Sequence, residues 1–400
     1  MLLVLQIIYF ICIAGLVYAY LIYPFLMKFW TRNLKPPTEF FTEESEWPTV
    51  SVIMAAYNEG VVIEEKMNSL LQSDYPKDKL HVFVGSDCSV DRTNELMQSF
   101  ADSNPSIHFY PFAKRRGKPG IVNELATDAI QKFGQGADHI FLLTDASVIL
   151  EPSTLKKLVR HFKREKVVLV DSNMLNTGIK SKGISKSEKE YVNREVRLKN
   201  REGLLWGTMV GPFGGCYALR SDYYQEVPPK FLVDDFYIAF KALEKGGAAI
   251  NDLEAICHES VPHDIGEEYR RKARISAGNY QNLETFAHLL KKPFSPLGFS
   301  FISHKVLKWL GPFFLIGSYI CCGILAFYGN IMWYDLFIMQ TVVLFGIPLL
   351  DFILQKVNIH LLLLRNITYF LVMNIALLEG FIKYINGIKN NVWEPPKRGE

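Results

Sequence analysis

Hydrophobic residues concentrate near the two ends of the chain and leave a more polar, patterned middle. Residues 2–27 carry almost no charge and are numerous enough to cross a bilayer. Lys28, Arg32 and Lys35 follow this run directly, as basic residues do at the cytoplasmic end of a membrane helix. A cleaved signal peptide places its basic residues before a shorter apolar core, so we interpret residues 1–27 as a retained transmembrane anchor.

A second apolar block occupies residues 310–385 and is broken by polar positions, first at residues 329–330. It has room for two or three spans, so we predict a C-terminal transmembrane region over residues 311–385. Just before it, residues 290–310 alternate large apolar side chains with His and Lys, which predicts an amphipathic helix on the membrane surface. Residues 386–400 form a basic tail.

In the middle of the chain, segments with the hydrophobic pattern of β-strands alternate with segments that have the pattern of helices. Residues 28–47 are polar, acidic and Pro-containing, which indicates a linker. The β-rich runs that follow are residues 50–56, 81–85, 107–110 and 139–143, and helical spacing occupies residues 63–71, 92–100 and 121–133. Strands that alternate with helices at this pace predict parallel βαβ units. We therefore expect an α/β domain over residues 48–285, with a doubly wound, mostly parallel sheet.

Polar motifs follow three of the predicted strands. They are Tyr57-Asn58-Glu59, Ser86-Asp87-Cys88-Ser89 and Thr144-Asp145-Ala146-Ser147. Each one alone is explained equally well by a turn or a helix cap. In a parallel sheet, however, ligands bind beyond the carboxyl ends of the strands, so the three motifs together predict a ligand site. Asp87 is suited to hydrogen-bond the edge of a pyrimidine.

Two further features of these loops suit a diphosphate. The run from Lys114 to Lys118 places four cations around Gly117, although a solvated basic loop is the usual explanation of such a run. Asp145 can coordinate Mg²⁺ or Mn²⁺, because these hard cations prefer oxygen ligands and leave positions for a substrate. Ser147 contributes a hydroxyl to that site, a bound water, or nothing.

An acidic pair, Asp234-Asp235, precedes an apolar helical stretch at residues 236–243. Two carboxylates at a helix start often complement the helix dipole. As a general base, Asp235 would take the proton of an acceptor hydroxyl as that oxygen attacks an anomeric carbon. We assign Asp234 to the acceptor side, together with Gly214 and Gly215, where the backbone can approach a substrate closely.

Composition narrows the class of partners. The 400 residues carry a net charge of only +3, and the basic residues cluster beside apolar segments rather than in a stripe interleaved with aromatic residues. Membrane lipids are therefore expected partners and nucleic acid is not. The six cysteines show no CxxC spacing, which argues against a disulfide framework and fits a domain that faces the reducing cytoplasm.

Taken in order, the motifs resemble those of the family 2 glycosyltransferases, in particular the membrane-bound branch similar to cellulose and hyaluronan synthases. The resemblance covers residues 50–283 and rests on Tyr57-Asn58-Glu59, Ser86 to Asp91, Gly117-Lys118, Thr144 to Ser147, and Val233-Asp234-Asp235. It implies a GT-A fold that binds a nucleotide-diphospho sugar and inverts the anomeric centre by a single displacement. A UDP-sugar is the favoured donor on the resemblance alone.

The resemblance also implies a role for each matching residue. Glu59 and Asp87 contact the nucleoside with Tyr57 beside them, Lys118 lies near the donor, Asp145 holds the metal-diphosphate, Asp235 is the base, and Arg271 and Arg274 clamp the diphosphate.

Two positions depart from the family pattern. Ser147 stands where a second metal-binding acid is usual, which weakens the predicted metal site. Arg271-Lys272-Ala273-Arg274-Ile275 matches the Gln/Arg-x-x-Arg-Trp motif of processive synthases but lacks its Trp. Without that aromatic platform for an acceptor sugar, single transfer is favoured over polymerisation.

The sequence therefore predicts an enzyme of the bacterial inner membrane with its catalytic domain in the cytosol. It would transfer a sugar to a surface-glycan or lipid-linked acceptor. The alternatives are a processive polysaccharide synthase with a membrane conduit and a catalytically silent scaffold that keeps the fold.

Overall fold

The computed structural model of the chain describes residues 1–43, 46–177, 184–260, 265–328, 331–357, 359–389 and 391. The polar break predicted at residues 329–330 lies outside these residues. The strands are β1 (Thr49–Ala56), β2 (Leu80–Asp87), β3 (Ile107–Phe112), β4 (His139–Thr144), β5 (Val148–Leu150), β6 (Val167–Thr177), β7 (Cys216–Arg220) and β8 (Ala248–Ser260).

The helices run from the first residues to the last apolar segment. They are α1 (Leu2–Val17), α2 (Tyr23–Trp30), α3 (Ile63–Leu71), α4 (Thr93–Ser103), α5 (Lys118–Phe133), α6 (Thr154–Val159), α7 (Ile184–Trp206), α8 (Asp234–Glu244), α9 (Ile265–Thr285), α10 (Pro296–Ser300), α11 (Leu307–Trp309), α12 (Gly311–Phe327), α13 (Ile331–Thr341), α14 (Ile347–Lys356) and α15 (Leu362–Ile385).

The chain divides into two compact units. The first, here called the membrane unit, comprises Met1–Trp30, Ile179–Glu195 and His263–Gly387. The second, here called the catalytic unit, comprises Thr31–Gly178, Val196–Pro262 and Ile388–Glu400.

The catalytic unit is built on one eight-stranded sheet of order β3-β2-β1-β4-β7-β6-β8-β5. The predicted parallel strands β1 to β4 are confirmed, because β1 pairs in parallel with both β2 and β4, and β2 pairs in parallel with β3. β7 is antiparallel to both of its neighbours, and β5 is antiparallel to β8. The α/β class and the mostly parallel sheet are therefore as predicted, with β5 and β7 as the reversed strands.

Burial explains why β1 reads as a continuous apolar run. Every residue from Val50 to Ala56 is buried, because the central strand of a parallel sheet is covered on both faces. Val52 lies opposite Val82 on one side and Leu142 on the other. This register brings the carboxyl ends of β1, β2 and β4 to one edge of the sheet.

Helix α5 shows how local sequence places Lys118, a predicted site residue. Gly117, with φ +76°, precedes the helix, Pro119 lies in its first turn, and Gly134, with φ +79°, ends it. Pro is pre-organised for the first turn, and Gly adopts the positive φ that terminates a helix without steric cost. The helix begins three residues before the predicted start at residue 121, so Lys118 is its first residue.

Within its described residues, the membrane unit contains three helical stretches that are long and apolar enough to cross a membrane, namely Leu2–Trp30, Ile331–Lys356 and Leu362–Ile385. Pro296–Trp309 and Gly311–Phe327 form a pair bent by 58° that would supply a fourth. The predicted amphipathic segment consists of α10, a π-helical turn at Phe301–Val306, and α11.

Buried charges in the membrane unit are paired. Glu195, on α7, accepts a hydrogen bond from His304 Nε2 at 2.8 Å and forms an ion pair with Lys308. Arg365 Nε donates to Asp351 at 3.2 Å, and both side chains are almost fully buried. Pairing is required here because an isolated charge in an apolar interior is strongly unfavourable.

One buried arginine lies near the amino end of β4, opposite the edge formed by the carboxyl ends of β1, β2 and β4. Arg220, at the end of β7, donates hydrogen bonds to the carbonyl oxygens of Val167, Ala137, Phe162 and Arg164, at 2.9, 2.9, 2.6 and 3.3 Å. Five donors in a rigid fork allow one guanidinium to satisfy several acceptors at once.

We expect Arg220→Met to destabilise the catalytic unit by roughly 2–5 kcal/mol, because each buried carbonyl left without a donor costs about 1–3 kcal/mol. The measurement is the unfolding midpoint of the detergent-solubilised full chain. Arg92→Met is the matched control, since Arg92 is exposed. Equal midpoints for the two variants would show that the Arg220 hydrogen bonds contribute nothing to stability.

Candidate active site

The loop after β1 and the loop after β2 are joined by hydrogen bonds. Asn58 N donates to Ser89 Oγ at 3.0 Å, and Val90 N donates back to Asn58 Oδ1 at 2.9 Å. Glu59 N donates to Thr93 Oγ1 at 2.9 Å. Asn58 adopts a left-handed φ of +51°, which asparagine tolerates better than most residues. The two motifs therefore form one rigid surface.

Asp87 organises the cationic loop that follows β3. Its side chain is fully buried. Oδ1 accepts from Arg116 N at 2.6 Å, and Oδ2 accepts from Gly117 N at 3.1 Å and Arg115 Nε at 3.1 Å. Both carboxylate oxygens are thus engaged by the loop that carries Lys118.

Arg115 stacks on Tyr57, with its guanidinium carbon 3.3 Å from the ring centroid. A planar guanidinium favours this arrangement on an aromatic face. The sequence placed Arg115 only within a run of cations suited to a diphosphate. The structure instead places it against Tyr57 and Asp87, at the edge predicted to receive the nucleoside.

Lys118 connects two of the predicted acidic residues. Its Nζ donates to Asp145 Oδ1 at 2.7 Å and lies 3.8 Å from Asp234 Oδ2. Desolvation opposes the charge of the amine, but the attraction of Asp145, Asp234 and Asp235 outweighs it and raises the pKa of Lys118 above its ordinary value. Motifs far apart in sequence thus meet at one ammonium group.

The loop that carries Asp145 is held from two sides. Asp145 N donates to Gly215 O at 2.9 Å, which connects this loop to the glycine-rich turn before β7. Beneath it, Lys66 Nζ donates to Thr144 Oγ1 at 2.7 Å and to Val148 O at 2.5 Å.

Lys66 itself is fully buried, and this burial lowers its pKa to about 8. A lysine on an amphipathic helix is ordinarily a surface residue, so sequence reasoning missed it. One signal was present: Lys66 lies on the same helical face as Ile63, Met67 and Leu70, all of which are buried.

Asp235 lies in the first turn of α8, half-buried, beside the glycine-rich turn. Gly214 has φ +85°, and a Cβ added there would clash with the Asp235 carboxylate. Burial, and then the neighbouring charge of Asp234, raise the pKa of Asp235 to about 6, while Lys118 acts in the opposite direction. Glycine at position 214 therefore leaves space for the Asp235 carboxylate.

The candidate site offers few protein oxygens as ligands for a divalent cation. The described part of the chain contains no group of three or more His, Cys, Asp or Glu side chains placed to hold a metal ion. Asp145 supplies one carboxylate, which it shares with Lys118, and Ser147 lies on the same loop. The oxygen chemistry suits Mg²⁺ or Mn²⁺ only if the phosphate oxygens of a donor complete the ligand set.

Arg271 and Arg274 lie on α9, one helical turn apart, in the membrane unit. Both side chains are half-buried. The remaining predicted site residues belong to the catalytic unit.

Curated relatives match part of the chain. A probable glycosyltransferase of Bacillus subtilis (strain 168) is 32% identical over 97 residues, which is 24% of this chain and 21% of that protein. Poly-beta-1,6-N-acetyl-D-glucosamine synthase of Staphylococcus aureus (strain COL) is 22% identical over 239 residues, which is 58% of this chain and 55% of that protein. The chain therefore spans about a fifth and about half of the lengths of these relatives.

A solved structure matches almost the whole chain. It is a mannosyltransferase from Pyrobaculum calidifontis in complex with GDP-Man and Mn²⁺, with a TM-score of 0.70 at 22% identity, and the match covers 95% of this chain and 99% of that chain. At this identity the match establishes the fold, which is that of the GT-A glycosyltransferases.

Residues 51–227 match the family described as glycosyl transferase family 2. The matched segment begins in β1 and contains Asp87, Lys118, Asp145 and the glycine-rich turn, whereas Asp234 and Asp235 lie beyond its end. Residues 51–227 thus form a glycosyl transferase family 2 domain of the GT-A fold.

Proposed function

We propose that the protein is a membrane-bound inverting glycosyltransferase that moves a sugar from a nucleotide-diphospho sugar to a surface-glycan or lipid-linked acceptor. The observation that carries this proposal is the meeting of Asp145, Asp234 and Lys118 beside Asp235 at the carboxyl edge of the sheet. That arrangement joins charges suited to a diphosphate with a carboxylate suited to deprotonate an acceptor.

On the donor side, Tyr57, Glu59 and Asp87 would form the nucleoside part of the site. The rigid loop pair supports this assignment, as does the stacking of Arg115 on Tyr57. Lys118 would bind the diphosphate and stabilise the charge that develops when the glycosidic C–O bond breaks. Arg271 and Arg274 keep their assignment as a diphosphate clamp on the resemblance alone.

On the acceptor side, Asp235 would accept the hydroxyl proton while the acceptor oxygen forms its bond to the anomeric carbon and the nucleoside diphosphate leaves. No covalent enzyme intermediate is needed in a single displacement. Gly214 and Gly215 would let the acceptor approach, and Asp234 would keep the proton affinity of Asp235 high by like-charge repulsion.

A divalent cation would be held by Asp145 and Ser147 together with the donor. When bound, it would neutralise charge on the leaving diphosphate. The Mn²⁺ bound in the mannosyltransferase complex supports this assignment. UDP-sugars are the favoured donors, on the sequence resemblance.

The chain would be an integral protein of the bacterial inner membrane with its catalytic unit in the cytosol. The three candidate spans support membrane insertion, and Lys28, Arg32 and Lys35 after the first span support this orientation.

A processive synthase is the second candidate, because one relative is named as a poly-N-acetylglucosamine synthase. The absence of the Trp in the Arg271–Ile275 motif favours single transfer. Product length, measured by mass spectrometry after a single-donor incubation, separates the two: one added sugar supports transfer, and a ladder supports polymerisation.

The direct test is nucleotide release by the detergent-solubilised chain from a panel of UDP- and GDP-sugars supplied with Mg²⁺ or Mn²⁺ and a membrane lipid extract as the acceptor source. Release with one donor supports the proposal and identifies the nucleotide. Absence of donor binding across the panel would overturn it in favour of a silent scaffold.

Asp235→Asn should lower kcat by about 10²–10⁴-fold, because the amide cannot accept the acceptor proton. Donor affinity should remain within a few-fold of wild type. Asp102→Asn, at an exposed helical position, is the control. Wild-type kcat in the Asp235 variant would remove Asp235 from the role of base.

Transfer should lose rate as the pH falls below about 6, because Asp235 acts only when deprotonated and its pKa is raised to about 6. The measurement is kcat/KM for the acceptor from pH 5 to 8. A profile that is flat from pH 5 to 6.5 would contradict this assignment.

Chelation of divalent cations should reduce nucleotide release strongly, and added Mn²⁺ should restore it, since Asp145 and Ser147 would bind the cation together with the donor. Asp145→Asn should raise the Mn²⁺ concentration required for half-maximal rate. Full activity in excess chelator would contradict the assignment of a divalent cation to Asp145 and Ser147.

A further inference from the structure

Asp171, on β6, is a buried acidic residue that none of the sequence motifs contains. It lies opposite Tyr217 on β7 and opposite Asn251 on β8. Paired residues on neighbouring strands project on the same face of a sheet, so these three form one polar row across three strands. The Asp171 side chain has no exposed surface.

The two oxygens of Asp171 have different surroundings. Oδ2 accepts a hydrogen bond from Phe213 N at 3.1 Å. Oδ1 is buried and has no hydrogen-bond partner among the described residues, and the same holds for the hydroxyl of Tyr217. An anionic oxygen without a donor is poorly stabilised in the protein interior, so these surroundings favour the neutral form of the Asp171 carboxyl group.

Phe213, whose amide binds Asp171, belongs to the turn that packs against the proposed base, Asp235. Phe213 is followed by Gly214, and a Cβ at Gly214 would overlap the Asp235 carboxylate. One short turn therefore lies between two carboxyl groups, with the amide of Phe213 bound to Asp171 and Gly214 packed against Asp235. Lys199 approaches the same turn, with its Nζ 3.9 Å from the centroid of the Phe213 ring.

We propose that Asp171 is a positioning residue for the sugar transfer: its carboxyl group holds the Phe213-Gly214 turn against Asp235 and keeps a proton in the pH range where Asp235 gives its proton up. Asp235 is then the member of the pair that is charged and able to act as a base. This inference rests on the proposed function.

The charged groups around Asp171 and Asp235 support the assignment of the proton to Asp171 and of the negative charge to Asp235. Burial raises the pKa of Asp171 to about 7, with Lys199 opposing and Asp235 adding to the shift. Asp235 also faces Lys199, together with Asp234 and Lys118, and its pKa is raised less, to about 6. We therefore assign the proton of the pair to Asp171, whose Oδ1 has no hydrogen-bond donor among the described residues, rather than to Asp235, which is stabilised as an anion by Lys118 and Lys199.

Two substitutions separate the anchoring role from the protonation role. Asparagine at position 171 can still accept from Phe213 N but never becomes charged. We expect Asp171→Asn to match wild-type kcat near pH 6.5, where wild-type Asp171 is protonated, and to diverge from wild type above pH 7. Asp171→Ala removes the acceptor, and we expect kcat to fall at least tenfold across the whole pH range with donor KM unchanged.

Ser172→Ala is the matched control, because Ser172 is a buried polar neighbour whose Oγ donates to Cys216 O at 2.7 Å. We expect its pH profile to parallel that of wild type. Equal losses of kcat in Ser172→Ala and Asp171→Ala would show a merely structural effect and overturn the proposal. Wild-type kcat in Asp171→Ala would overturn it as well.

A second readout does not depend on catalysis. Folded Asp171 keeps its proton up to about pH 7, whereas the unfolded chain releases it near the ordinary value of 3.8. Between these values the native state binds more protons, so the contribution of Asp171 to stability declines as the pH rises. Relative to wild type, the melting temperature of full-length Asp171→Asn in detergent should therefore rise by several degrees between pH 5 and pH 8.

The two readouts distinguish the possible failures. Absence of transfer by wild type in the donor panel would refute the proposed function, whereas the melting experiment would still report whether Asp171 holds its proton. A melting difference that is constant with pH would show that Asp171 is ionised throughout, and this result overturns the protonation role even if transfer is observed.

Discussion

The arrangement of the candidate site depends on one interaction, the ion pairing of the half-buried Lys118 ammonium group with Asp145 and Asp234. Asp145 lies in the loop after β4 and Asp234 at the start of α8, and both carry the same charge, so bringing them together requires a compensating cation. Lys118 can supply it because Gly117 and Pro119 fix the start of α5 at the edge of the sheet. The same charge that holds the acidic groups together would later face the diphosphate of a donor.

A second set of charges lies beneath this surface and supports it. Lys66 binds both ends of the loop that carries Asp145, while Asp171 binds the turn beside Asp235. Burial makes each charged form costly, which lowers the pKa of the lysine and raises that of the aspartate. The two side chains that position these loops, Lys66 and Asp171, therefore have pKa values shifted toward neutral pH.

In the membrane unit, too, buried charged side chains are stabilised by partners of opposite charge. Its buried carboxylates, Glu195 and Asp351, each have a cationic partner on a nearby helix segment. An apolar interior offers little solvation to an unpaired charge, so these pairs fix which faces of the helices meet. Composition alone indicated only that the segments were apolar enough to span.

The sequence by itself determined the alternation of β1 to β4 with α3 to α5 and the order of the acidic motifs, because hydrophobic period and strand-end position are local properties. It did not determine that β7 runs antiparallel, since that depends on pairing with distant strands. Only the tertiary structure placed Arg115 on Tyr57, Lys66 beneath Asp145 and Asp171 behind Asp235. Each of these is a polar side chain whose role comes from burial and from neighbours far away in sequence, and no local pattern encodes either.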